Sequence, residues 1–220
     1  MKLGDLADNQ LPELEIVDSC DKAMGFMDEF KLSHYPVING SLFVGLIYEE
    51  DVYEFEDWSQ TISKSKIRLP NLSVNENEHF LTAVQKMTAS GLSVIPVVDE
   101  KNVYRGMITN DMIVQVFGNS SIVQDIGGVI EIEIAPQDYY LTEITRIIES
   151  TGTKILGSYI RNIPDDHKIV VTLKLNTQEV EEVLSALDRF GYVVFASYNL
   201  KSEDSLRKDR YDNLMQYLNI

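Results

Sequence analysis

The chain has 220 residues, 35 of them acidic and 19 basic, for a formal charge of -16. Its 44% hydrophobic and 25% charged content excludes a mostly disordered chain. So acidic a chain lacks the clustered Lys and Arg that nucleic acid or an anionic membrane demands, so neither is an expected partner. The single cysteine, Cys20, excludes an internal disulfide and fits a cytoplasmic setting. The first residues carry no apolar signal core, and no run approaches the roughly 18 uncharged apolar residues of a membrane span.

In chain order, Ala23, Phe26, Met27 and Phe30 open a helical pattern. It leads into Leu32-Ser33-His34-Tyr35-Pro36-Val37-Ile38, a turn at Asn39-Gly40, and Phe43-Val44-Gly45-Leu46-Ile47. The same order returns about 60 residues later. Leu81, Val84 and Met87 give a helix, followed by Leu92-Ser93-Val94-Ile95-Pro96-Val97-Val98, the polar turn 99–102, and Tyr104-Arg105-Gly106-Met107-Ile108. Each copy reads helix, strand, turn, strand, helix, the last helix entered at Asp51 or Asp111. Pro36 and Pro96 cannot donate to a ladder, so each is expected to begin or edge its strand. Gly45 and Gly106 are expected to admit a bulge or a close backbone approach. Two such open units are expected to pack on each other to bury their apolar sheet faces.

These repeated residues resemble a pair of CBS domains, the module named after cystathionine β-synthase. The pair occupies 1–126, with copy one at about 10–58 and copy two at about 66–120.

After Gly127-Gly128 the pattern changes. The alternation 129–134 reads as a half-buried strand, and Leu141, Ile144, Ile147 and Ile148 as a helix. Residues 154–163 and 169–175 read as strands about a turn at 164–167. Val180, Val183, Leu184 and Leu187 give a second helix, Gly191 its cap, and 192–196 a last strand. This β-α-β-β-α-β order is the ferredoxin-like plan. Directly behind a CBS pair, the 127–200 segment resembles an ACT domain. The whole resembles bacterial CBS–ACT proteins, including the acetoin-utilisation type. The fold class is thus α/β (α+β): a CBS pair, an ACT-like domain and a C-terminal amphipathic helix over 201–220. In that tail Ser202 is the N-cap, and Leu206, Tyr211, Leu214, Met215 and Leu218 form the apolar stripe.

The CBS resemblance implies a nucleotide site between the copies, with the ribose held by the Asp of Gly-x-x-Ser/Thr-x-x-Asp. A carboxylate has two acceptor oxygens and can take two ribose hydroxyls. Copy one reads Gly45-Leu46-Ile47-Tyr48-Glu49-Glu50-Asp51: Asp51 is in register, and Tyr48 replaces the small hydroxyl. Copy two reads Gly106-Met107-Ile108-Thr109-Asn110-Asp111-Met112: Thr109 is in register, and Asp111 comes one residue early. On a helix that shift turns the carboxylate by about 100°. Lys64, Lys66, Arg68, Lys101 and Arg105 are the cations within sequence reach. Arg105 is the first choice for phosphate because guanidinium pairs with it bidentately. The candidate ligand-binding residues are therefore Asp51, Thr109, Asp111, Arg105 and Tyr48.

His34, His79 and His167 show no paired ligand spacing, and Cys20 has no adjacent base. No catalytic residue or metal site is expected. The function these residues imply is regulatory, not enzymatic: an adenine nucleotide (AMP, ADP, ATP) or S-adenosylmethionine is sensed by the CBS pair and coupled to the ACT-like domain or to a protein partner. One alternative is a degenerate dimer whose clefts are filled by Tyr48 and Met112 and which acts as a scaffold. A further alternative makes the ACT-like half an amino-acid sensor, although its 135–140 loop lacks the glycine usual there. Both halves favour a homodimer.

Overall fold

A computed structural model describes residues 1–8, 10–163 and 167–200. The chain forms two compact units, Met1–Val116 and a second beginning at Phe117. The amphipathic tail expected over 201–220 lies outside the described residues.

The first unit contains the repeat. Copy one is β1 (Leu14–Glu15), α1 (Cys20–Phe30), β2 (His34–Asn39), β3 (Leu42–Tyr48) and α2 (Glu49–Tyr53). After α3 (Ile62–Ser65), copy two is β4 (Val74–Asn75), α4 (Phe80–Ser90), β5 (Val94–Val98), β6 (Tyr104–Thr109) and α5 (Asn110–Gly118). Each copy folds as a three-stranded sheet, β1-β2-β3 or β4-β5-β6, with a parallel pair followed by an antiparallel one. Both antiparallel ladders skip one residue at the same place, between Val37 and Ile38 and between Val97 and Val98. The extra residues are Val44 and Arg105, each beside the repeat glycine. One core runs through both copies, from Tyr35, Val37, Leu46 and Ile47 to Ile95, Val97, Met107 and Ile108.

The structure corrects the placing of the prolines. Pro36 and Pro96 are each the third residue of a central strand. They are tolerated because the short parallel partner first pairs one residue later, at Val37 and Val97. On the other side Leu46, opposite Pro36, sends its N–H to Pro70 O at 2.9 Å instead of into the ladder.

Two straps complete the repeat. The segment before copy one lies on copy two: Leu3 N–H donates to Glu78 O, Gly4 N–H to Glu76 O, and Asp8 and Met107 exchange backbone bonds. The segment before copy two lies on copy one: Ile62 N–H donates to Asp18 O, Ser63 N–H to Ile16 O, and Leu46 N–H to Pro70 O. The glycines make room for these straps. A Cβ on Gly45 would stand 2.6 Å from Leu69 O, and one on Gly106 2.6 Å from Asp8 O.

The second unit begins with α6 (Ser121–Gln124). It continues through β7 (Gly127–Ile134), α7 (Leu141–Glu149), β8 (Ile155–Asn162), β9 (Ile169–Leu175), α8 (Glu181–Arg189) and β10 (Val193–Leu200). Its antiparallel sheet has the order β10-β7-β9-β8, the ferredoxin-like topology. Ile130, Ile132, Val171 and Leu173 meet Ile144, Ile148, Val183 and Leu187 in a separate core. Gly191, at φ 81°, ends α8 as the sequence requires. On β9, Lys174 is 1% exposed, and its ammonium donates to Gly127 O at 3.1 Å. No helix among the described residues is long and apolar enough to cross a membrane.

Candidate ligand cleft

The residues singled out in the sequence fall at the ends of β3 and β6, where each strand turns into its helix. Tyr48 closes β3 and pairs with His34. Thr109 closes β6 and pairs with Val94. The two strand ends flank the seam between the copies, which is bonded directly. Ser93 N–H donates to His34 Nδ1 at 3.2 Å, Ser33 N–H donates to Ser93 Oγ at 3.0 Å, and His34 Nδ1 lies 3.0 Å from that same Oγ. A backbone N–H can only donate, so His34 is neutral here with its proton on Nε2. Burial lowers the imidazole's proton affinity, and Glu50 and Glu49 oppose that shift.

The His34 ring stands edge-on to Tyr48, with centroids 4.5 Å apart. Burial raises the Tyr48 phenol. Asp51 and Glu50 raise it further, and Arg68 pulls it down. Asp51 and Arg68 thus act on the Tyr48 phenol with opposite signs, and Asp51 is half-buried in the first turn of α2. Arg68 sits in the strap that lies on copy one, a position the sequence offered only as one linker cation among several.

The copy-two side is built differently. Thr109 Oγ1 accepts the Met112 N–H at 3.3 Å and so caps the start of α5. Met112 is half-buried against the core, near Leu6, Ile108 and Ile113. Asp111 is exposed. Arg105 is the bulged residue of β6. Its guanidinium donates to Asp99 Oδ2 at 2.8 Å and lies 3.7 Å from Glu76 Oε2. Asp99 is itself held below the usual carboxylate range, first by the Val103 N–H and then by Lys101 and Arg105. The structure therefore brings Tyr48 and Asp51 together, sets Thr109 across the seam, and leaves Asp111 and Arg105 facing elsewhere.

Cys20 is buried, and burial raises its thiol, the reverse of what a nucleophile needs. Among the described residues no group of three or more His, Cys, Asp or Glu side chains could hold a metal ion. In the second unit a cavity of about 390 Å³ lies where β7 ends and β10 begins, lined by Glu133, Asp138, Tyr140, Glu143 and Tyr192 among others. Burial raises the Tyr192 phenol, and the Glu143 and Asp138 carboxylates reinforce the shift.

Residues 65–119 match the CBS domain family. That stretch is copy two with the end of its preceding strap, and copy one repeats its element order and sheet pairing. A homoserine O-acetyltransferase of Methanocorpusculum labreanum is 25% identical over 117 residues, which is 50% of this chain but 23% of that protein's length. Among solved structures, a CBS domain pair/ACT domain protein of Thermotoga maritima is 19% identical. It covers 53% of this chain and 96% of its own, with a TM-score of 0.48. A putative acetoin utilization protein of Vibrio cholerae is 17% identical, covering 54% and 91%, with a TM-score of 0.48. CBSX2, solved in complex with AMP, is 19% identical, covering 53% and 95%, with a TM-score of 0.46.

Proposed function

We propose that this chain is a regulatory ligand-binding protein and not an enzyme. Its CBS pair takes one adenosyl ligand, an adenine nucleotide or S-adenosylmethionine, on the Tyr48–Asp51 side of the seam. The observation that carries this reading is that the Asp51 carboxylate and the Arg68 guanidinium both act on the Tyr48 phenol at the end of β3. A half-buried carboxylate is available for ribose hydroxyls, an aromatic ring for stacking, and a guanidinium for a negatively charged tail. Thr109 supports the opposite wall through its cap. Asp111 and Arg105 drop out of the site, the first through exposure and the second through its two carboxylates. Ligand binding shifts the arrangement of the two copies, and the ferredoxin-like unit, ACT-like in this reading, or a protein partner receives that shift. The cytoplasm, a homodimer and kinship with the acetoin-utilisation type complete the proposal. Exposed Leu81 on α4 and Val114 on α5 support self-association.

Thermal unfolding against AMP, ADP, ATP, S-adenosylmethionine and NAD, with and without magnesium, tests it. A ligand at 100 times its dissociation constant adds about 2.7 kcal/mol and raises the midpoint by a few degrees. No shift with any of them supports the second reading, a scaffold without a ligand, which the packing of Met112 favours. The amino-acid-sensor reading for the second unit gains little. Its cavity lining carries three carboxylates, Glu133, Asp138 and Glu143, which would repel an α-carboxylate, and the Lys168 ammonium that borders it is paired with Glu133.

A further inference from the structure

We propose that the His34–Ser93 seam is a proton-sensitive latch between the two copies: neutral His34 holds the seam closed, and protonation releases it. The argument stands on hydrogen-bond geometry and goes beyond the adenosyl reading without resting on it. At the seam, Nδ1 of His34 is the acceptor for the Ser93 N–H, and Ser93 Oγ is the acceptor for the Ser33 N–H. These bonds join β2 of one copy to the residue that opens β5 of the other. Adding a proton to Nδ1 converts the acceptor into a donor. The new Nδ1–H can turn to Ser93 Oγ at 3.0 Å, but it now faces the Ser93 N–H, and that half-buried donor loses its partner.

The groups around the ring set the direction. Glu49 and Glu50, on α2, favour the imidazolium. Tyr48, on β3, presents an aromatic edge contact, and behind it Asp51 and the strap residue Arg68 have opposite signs. From the other copy, Ser93, just before β5, and Val94, its first residue, bring no charge. Burial outweighs the two carboxylates, so folding favours the neutral ring. A base whose folded pKa is depressed contributes fully above its unfolded value of about 6.5, and that contribution is lost as pH falls from there through the folded value. The repeat supplies its own control: the position equivalent to His34 is Val94, so only one of the two copies carries the titrating side.

The test follows His34 in the full chain by NMR, with His79 and His167 as internal references, and measures amide exchange at Ser33 and Ser93 between pH 7.5 and 5.5. The expected result is a His34 midpoint below 6.5. Protection of both amides, corrected for intrinsic exchange, should fall toward acid, tenfold for each unit by which the midpoint is depressed. In His34→Asn, whose side-chain oxygen replaces Nδ1 without titrating, protection should stay flat across that range. A midpoint at or above 6.5 overturns the latch. So does the same acid loss of protection in His34→Asn. The wild-type titration decides the first point even if the variant fails to fold.

Discussion

The two copies of the repeat share their element order, their sheet pairing and the place of their bulges, yet they end their strands differently. Copy one turns from β3 into α2 through Tyr48 and leaves Asp51 half-buried beside the strap. Copy two turns through a capping Thr109 and seats Met112 where Asp51 has its counterpart. One backbone plan therefore carries a polar residue at this position in copy one and an apolar one in copy two. The two copies share what the fold needs, the glycines and the apolar strand positions, and differ in the residues at the seam.

The largest expected effect falls on what the copies share. Gly106→Ala places a Cβ against Asp8 O and forces a side chain onto φ +129°, whereas Gly45→Ala meets the strap carbonyl and Cβ of Leu69 without a positive φ. Chemical denaturation is expected to show a loss of about 3–4 kcal/mol for the first and about 2–3 kcal/mol for the second. Equal costs would mean that the clash with the straps sets the loss and that the positive φ at Gly106 adds nothing; no cost at Gly45 would mean that the straps yield.

Next comes the attempt to make copy two resemble copy one. Met112→Asp pushes a carboxylate toward the core between Leu6 and Ile108, so a loss of about 2–3 kcal/mol is expected, with no new ligand shift. A stable variant that binds a second ligand would erase the distinction between the two sides. A milder contrast separates the acids themselves. Asp51→Asn is expected to weaken the adenosyl ligand tenfold or more, about 1.4 kcal/mol, while Asp111→Asn, exposed, leaves its affinity unchanged in a calorimetric titration.

The smallest effect lies at the helix ends. Helix α1 ends on Lys31 at φ 56° and α4 on Gly91 at φ 63°, and both accept the same left-handed cap with an N–H to Met27 O or Met87 O. Lys31→Gly should raise stability by about 0.5–1 kcal/mol, read as a higher denaturation midpoint.

The helices and strands were legible because each satisfies a local rule. Apolar spacing placed α1, α4, α7 and α8, alternation placed β7, and Asn39-Gly40 and Gly191 placed their turn and cap. The straps were not legible. They hold the opposite copy through backbone bonds, and backbone bonds leave no side-chain pattern. The prolines misled for a related reason, because a central strand admits Pro36 where its neighbour has not yet begun to pair. At the candidate cleft, Asp51 and Tyr48 were singled out by their offset to Gly45, which fixes their place at the end of β3 and the start of α2. The pairing of Arg105 with Glu76 and Asp99 was not legible, because the three become neighbours only after the β4–β6 sheet forms.

What the sequence by itself determined is the repeat, the β-α-β-β-α-β order and the glycines that keep space open, since periodicity and backbone freedom are properties of neighbouring residues. What only the tertiary structure decided is which side chains meet across the seam. Ser93 and His34 are 59 residues apart and Arg68 and Tyr48 are 20 apart. Their meeting depends on two copies packing face to face around one core, which brings together groups that no local pattern relates.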